Sequence, residues 1–164
     1  MTDMLVKLYA LPPLAPLAAA LARDAVVMRR PLACEKHLVT TWFGSLFGVG
    51  WASECETAFS RLPVACFIAA QEARIAGVAC YDCTCRNFFG PIGVAPTWRG
   101  RQIGRGLLLA CLHAMAAEGY AYAIIGGVGP LAFFSRSAGA VAIEGSTPGI
   151  YPDSATPPLT EKPA

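Results

Sequence analysis

The sequence predicts an α+β fold built on one mixed sheet flanked by helices, and three observations lead there. Strand-like segments follow one another at 64–69, 75–81 and 88–94, as in a meander. Beyond them, helical and strand-like segments alternate at 102–117, 120–125, 130–137 and 141–144. At 164 residues, 55% hydrophobic and 15% charged, the chain is neither disordered nor too short for a core of its own; a chain of that size buries about two-thirds of its unfolded surface.

In chain order, residues 5–9 read as a short strand, and a proline-rich turn then leads to a brief alanine-rich helix at 16–22. Residues 25–30 read as a second strand. Two helices, 33–47 and 52–61, are divided by the turn Gly48-Val49-Gly50, and Ser53 with Glu56 has the spacing of a capping box. The polar stretch 71–74 turns between two apolar runs, which is a hairpin pattern. Gly90, Pro91 and Gly93 inside the next strand signal a bulge or a break in its pairing. Ile103, Leu107, Cys111 and Met115 recur at one-turn intervals, and Gly119 stops that helix. Gly139 closes the helix at 130–137. The expected organisation is therefore an N-terminal extension over 1–24, a domain over 25–151, and a tail without fixed structure over 152–164.

Composition excludes several classes. No apolar run reaches the roughly 18 to 20 residues of a membrane-spanning helix. Asp3 beside Lys7, and prolines at 12, 13 and 16, do not suit a secretory leader. Seven cysteines at irregular spacing do not suit a disulfide framework, so a cytoplasmic chain with reduced thiols is expected. Cys80, Cys83 and Cys85 invite a metal reading, but strand alternation would turn Cys80 away from the other two, and no metal site is expected. A net charge of +2 is too mild to call for nucleic acid.

The chemistry concentrates in one segment. A strand ending Gly93-Val94 is followed by Ala95-Pro96-Thr97-Trp98, by Arg99-Gly100-Arg101-Gln102-Ile103-Gly104-Arg105-Gly106, and then directly by a helix. The first amides of a helix lack internal acceptors and carry the positive end of its dipole. Glycines let a phosphate approach the backbone, and three arginines add charge. There is neither a GxxxxGK[ST] loop nor a GxGxxG after the strand. A pyrophosphate-bearing guest fits.

The string GVAPTWRGRQIGRGLLLACL resembles the V-x-P-x-x-R-G-x-G-I-G-x-x-L motif of the GNAT acetyltransferase family, and GPLAFFSRSAGAVAIEGS resembles that family's F-Y-x-x-x-G-F helix-strand element. The resemblance covers about 64–144, and the preceding strand and two helices fit the family's order. It implies a mainly antiparallel sheet in which the strand at 88–94 splays from the strand at 120–125. The arm of acetyl-CoA would lie in the gap, paired with the backbone of Ile92 and Val94. The amides of Arg99, Gly100, Arg101, Gln102, Ile103, Gly104, Arg105 and Gly106 would grip the diphosphate, and Phe134 would lie beside the thioester. This sequence departs from the pattern at Gln102, which replaces the motif's middle glycine, and at Phe134, where many relatives carry a tyrosine that protonates the leaving thiolate.

The implied reaction is attack of a neutral amine on the thioester, which needs a base for the ammonium and an acid for the thiolate. Asp82, Tyr122 and Tyr151 are the first candidates, with Tyr81 and Glu54 beside them, and a water-mediated base is equally open. Each is also readable as a solvated carboxylate or a packed ring, and His37 and His113 as ordinary helix residues. Trp42, Phe47 and Trp51 gather where the resembling family has its acceptor pocket. The rival expectations are a non-catalytic acyl-CoA sensor and a partner-binding module, such as a homodimer formed through the N-terminal extension.

Overall fold

The computed structural model of the chain describes residues 1–150. Seven strands, β1 (Thr2–Lys7), β2 (Val27–Arg29), β3 (Cys66–Gln71), β4 (Arg74–Tyr81), β5 (Phe88–Val94), β6 (Tyr122–Val128) and β7 (Val141–Ala142), form one sheet in the order β2-β3-β4-β5-β6-β1-β7. Every neighbouring pair is antiparallel except β5 with β6, which is parallel. Five helices accompany the sheet: α1 (Ala15–Arg23), α2 (Lys36–Phe47), α3 (Val49–Thr57), α4 (Ile103–Ala117) and α5 (Leu131–Ala138).

Local sequence explains most of these elements. The β3–β4 hairpin closes through Glu72 and Ala73, both at positive φ (47° and 63°), the primed geometry whose twist matches the flanking strands. In α2, Val39 and Phe43 stand one turn apart and are fully buried on one face of the sheet. On the other face α4 is enclosed from Leu107 to Leu112 because α1 covers its outer side. A methyl group on Gly106 would meet Met28 Sδ at 2.7 Å and Leu21 Cδ1 at 2.9 Å, so this glycine permits that close approach.

Some elements differ from their sequence-based boundaries. The segment expected as an N-terminal extension contributes β1, which pairs with β6 on one side and β7 on the other and buries Met4 and Val6. Asp3 is also buried there, its carboxylate accepting the Gly127 amide at 2.8 Å. Ser53 is not a cap: α3 starts four residues earlier, after Gly48 at φ 98°, and the Ser53 hydroxyl donates to the Val49 carbonyl within the helix. The alternation argument for the cysteines does not extend past Tyr81, where β4 ends; Cys83 lies in the following loop and its thiol donates to the Tyr81 carbonyl at 3.3 Å.

Candidate functional site

The two parallel strands part company almost at once. β5 and β6 pair only at Phe88 with Ile124 and Phe89 with Ile125. Gly90 and Pro91 follow, and Pro91 has no amide to donate. β6 continues against β1, whereas β5 continues against β4. The Ala95 amide donates to Ala76 at 2.9 Å, so by alternation residues 93 and 95 face β4 while the backbone polar groups of Ile92 and Val94 face the gap. The result is a cleft of about 1330 Å³ lined by both strands, the loop before α4, α3 and α5.

The loop forms the cationic wall. Pro96–Trp98 makes one helical turn, after which Gly100 (φ 78°) and Gln102 (φ 63°) are both left-handed. Gln102 therefore stands at a position that favours glycine, which explains why the motif has glycine there and what this chain forgoes. The first amide bonded within α4 is that of Gly106, which donates to the Gln102 carbonyl at 2.9 Å. Among the described residues, no acceptor meets the amides of residues 100–105. Arg105 also lines the cleft, and its Nε is buried and lacks a partner. A bare row of amides and an orphaned guanidinium N–H together fit an anionic guest.

The structure brings together nine of the eleven residues expected at the cofactor loop: Ile92, Val94, Arg99, Gly100, Gln102, Ile103, Gly104, Arg105 and Phe134 all line the cleft. Arg101 does not; its guanidinium lies over the Trp98 ring, 5.0 Å from the centroid. Gly106 does not either, because it faces α1 and its amide is already used. Phe134 is buried at 4% exposure, edge-on to Phe89 and Phe133, and supplies a ring without a hydroxyl.

At the other end, α2 and α3 present an aromatic wall. Phe47 and Trp51 stack with centroids 5.2 Å apart and planes 18° apart. Glu54, one turn after Trp51 on α3, also lines the cleft, and its carboxylate accepts the Thr84 hydroxyl at 2.6 Å. Thr84 escaped notice in the sequence because the loop 82–87 has no periodicity that announces a facing direction.

The catalytic candidates are scattered. Asp82 is held by Arg61 at 2.9 Å, by the Tyr120 hydroxyl at 3.0 Å and by the Asn87 amide at 2.8 Å, and it is absent from the cleft wall. That carboxylate anchors the β4–β5 loop. Tyr122 lies toward the opposite end of β6, its hydroxyl 3.3 Å from that of Tyr9. Tyr81 bonds Arg30 and Glu118, and burial with the Glu118 contact pushes its phenol up to about 12. Tyr151 falls outside the described residues. His113 bonds the Pro12 carbonyl at 2.9 Å, and neither it nor His37 reaches the cleft.

An open parallel pair capped by an amide-rich helix start defines the architecture of an acyl-group transferase of the GNAT type. The model of the acetyltransferase (GNAT) family matches residues 36–131, and the chain belongs to that family. No curated protein matches it. Among solved structures, it is similar to the GCN5-related glucosamine N-acetyltransferase region in a fungal multi-domain GH3 β-N-acetylglucosaminidase, with a TM-score of 0.71, 16% identity, and 87% of this chain and 19% of that one covered. It is also similar to a GCN5-related N-acetyltransferase from Sphaerobacter thermophilus, with a TM-score of 0.62, 15% identity, and 87% and 48% covered. The chain thus spans about a fifth and about half of those two proteins, and at such identities the likeness concerns the fold. No described helix is long and apolar enough to cross a membrane.

Proposed function

We propose that this chain transfers an acetyl group from acetyl-CoA to a primary amine, carried by a small molecule or exposed on a protein, by direct attack in a ternary complex. The observation that carries the reading is the row of amides at 100–105 without acceptors, next to the buried, unpartnered Nε of Arg105. These donors suit a diphosphate, and the outward-facing backbone of Ile92 and Val94 suits the amide-bearing arm that follows it.

Glu54 is the base in this proposal, in preference to Asp82 and Tyr122. Its carboxylate lies on the cleft wall between the aromatic stack and Thr84, where an incoming ammonium would lose a proton to it directly or through water. The freed nitrogen attacks the thioester carbon, and the carbon–sulfur bond then breaks. With Phe134 offering no hydroxyl, the thiolate takes the proton that the attacking nitrogen still carries. The amide and the free thiol leave, and atoms and charge balance.

Phe134 also favours a second reading, a sensor that binds acyl-CoA without turnover. Calorimetric titration with acetyl-CoA, repeated on Gly104→Glu, tests the binding site, because the new carboxylate would stand among the phosphate donors. Unchanged affinity would refute the site. Thiol release across an amine panel tests turnover: release that falls in Glu54→Gln supports the transferase, and binding without release for every amine supports the sensor.

A further inference from the structure

A second cluster of reactive groups lies away from the cleft, on the α2–α3 face of the sheet. Cys66 and Cys80 are direct register partners on β3 and β4. Cys55 descends on them from α3, and the three sulfurs lie within 4.8 Å of one another. All three residues are fully buried and all are free thiols. Cys55 is the only buried residue of α3. The helix that carries Trp51 and Glu54 thus sets its one enclosed side chain among these sulfurs.

We propose that Cys55, Cys66 and Cys80 form a three-sulfur site for a thiophilic metal or metalloid ion, which pins α3 to the sheet. Sulfur ligation at about 2.3 Å from a central ion needs the sulfurs to be about 4 Å apart, so a small contraction suffices. On binding, three S–H bonds break and three sulfur–ion bonds form. The protons leave to solvent, or as three waters when the ion arrives as arsenite.

Charge ranks the occupants. No lysine or arginine among the described residues bonds a sulfur of the trio. Three thiolates around a trivalent metalloid are neutral, whereas around a divalent ion they leave one net negative charge in an apolar interior, which is costly. Arsenite-type ions should bind most tightly, ahead of Cd²⁺ or Zn²⁺.

The test uses the full chain kept reduced with a phosphine, with arsenite or Cd²⁺ added to the folded protein and also during refolding, so that slow entry is not mistaken for the lack of a site. The expected result is one equivalent bound, three thiols protected from alkylation and a raised Tm. Cys55→Ala, Cys66→Ala and Cys80→Ala should each weaken binding by at least the roughly tenfold that loss of a mere outer-shell partner costs. Cys34→Ala and Cys85→Ala, which alter exposed thiols, should leave it unchanged. Saturable Cd²⁺ binding without arsenite binding would sustain the site and reverse the charge ranking. No saturable binding of either ion, no protection of thiols in the unmutated chain, or binding that survives Cys80→Ala would overturn the proposal.

Discussion

Gly93→Ala places one methyl group at the junction between the sheet and the aromatic wall. The added carbon would sit 2.5 Å and 2.7 Å from Phe47 Cε2 and Cζ, and 2.9 Å from Phe43 Cε2. Carbon atoms pack at about 3.5 to 4.0 Å, so the overlap is about 1 Å. Phe43 is fully buried and has nowhere to go. Phe47, half-buried on the cleft wall, can yield only by giving up its stacking on Trp51. Overpacking of this kind costs about 1 to 3 kcal/mol, and the stiffer unfolded chain returns about 0.4 to 1 kcal/mol. The φ of Gly93 is not left-handed, so conformational strain adds nothing. The expected net loss is about 1 to 2 kcal/mol, which lowers Tm by about 2 to 8 °C in a chain of this length. Because the displaced ring belongs to the proposed acceptor side, the KM for the amine should rise while acetyl-CoA affinity, measured calorimetrically, stays nearly constant. A Tm equal to or above that of the parent chain would refute the packing argument.

Three further outcomes are expected. Arg105→Gln removes the guanidinium whose Nε is buried and should weaken acetyl-CoA binding by about tenfold or more, whereas Arg101→Gln, whose parent side chain rests on Trp98, should change it by about twofold at most; equal effects in calorimetry would contradict the assigned roles. Gln102→Gly relieves a left-handed side-chain residue and should raise Tm by a gain of up to about 1 kcal/mol, with cofactor affinity retained; a lower Tm would show that the glutamine side chain holds the loop. The Arg29 fork on Glu35, aided by the Leu32 amide, holds the Glu35 carboxyl near 2 instead of its ordinary 4.5. A depressed carboxyl stabilises the fold above its unfolded value and ceases to do so as pH falls through the folded one. The stability gap between the parent and Glu35→Gln in urea unfolding should therefore be full at neutral pH, shrink below about 4.5 and close near 2; a gap independent of pH would refute the pairing.

The sequence disclosed the meander, the hairpin turn and the long helix because their signals are local: apolar repeats of two or of nearly four residues, and turn residues that tolerate positive φ. It did not disclose that β1 lies between β6 and β7, because pairing across more than a hundred residues leaves no mark within a short window, and proline-rich flanks made the strand look peripheral. The cysteine trio was hidden for the same reason. Along the chain Cys80 stands close to Cys83 and Cys85, while its actual neighbours come from α3 and β3.

The two ends of the cleft differed in legibility because they are made of different things. The end that faces the loop is built from backbone, so its requirement falls on consecutive residues: a strand that stops, residues able to turn left-handed, then a helix start with bare amides. Even the departure at Gln102 keeps the conformation that the glycine of the pattern would take. The other end, where the proposed acceptor would enter, is built from side chains that meet from α2, α3 and the β4–β5 loop, so which carboxylate faces the cleft depends on how helices sit on the sheet. Asp82 and Glu54 look alike in the sequence, one after a strand and one in a helix. Three close partners fix Asp82 in its loop, while the turn of α3 that exposes Trp51 aims Glu54 inward. The base proposed for the incoming amine thus depends on the register of a short helix, and any change that rotates α3, whether at Cys55 below it or at Phe47 beside it, should alter turnover before it alters the grip on acetyl-CoA.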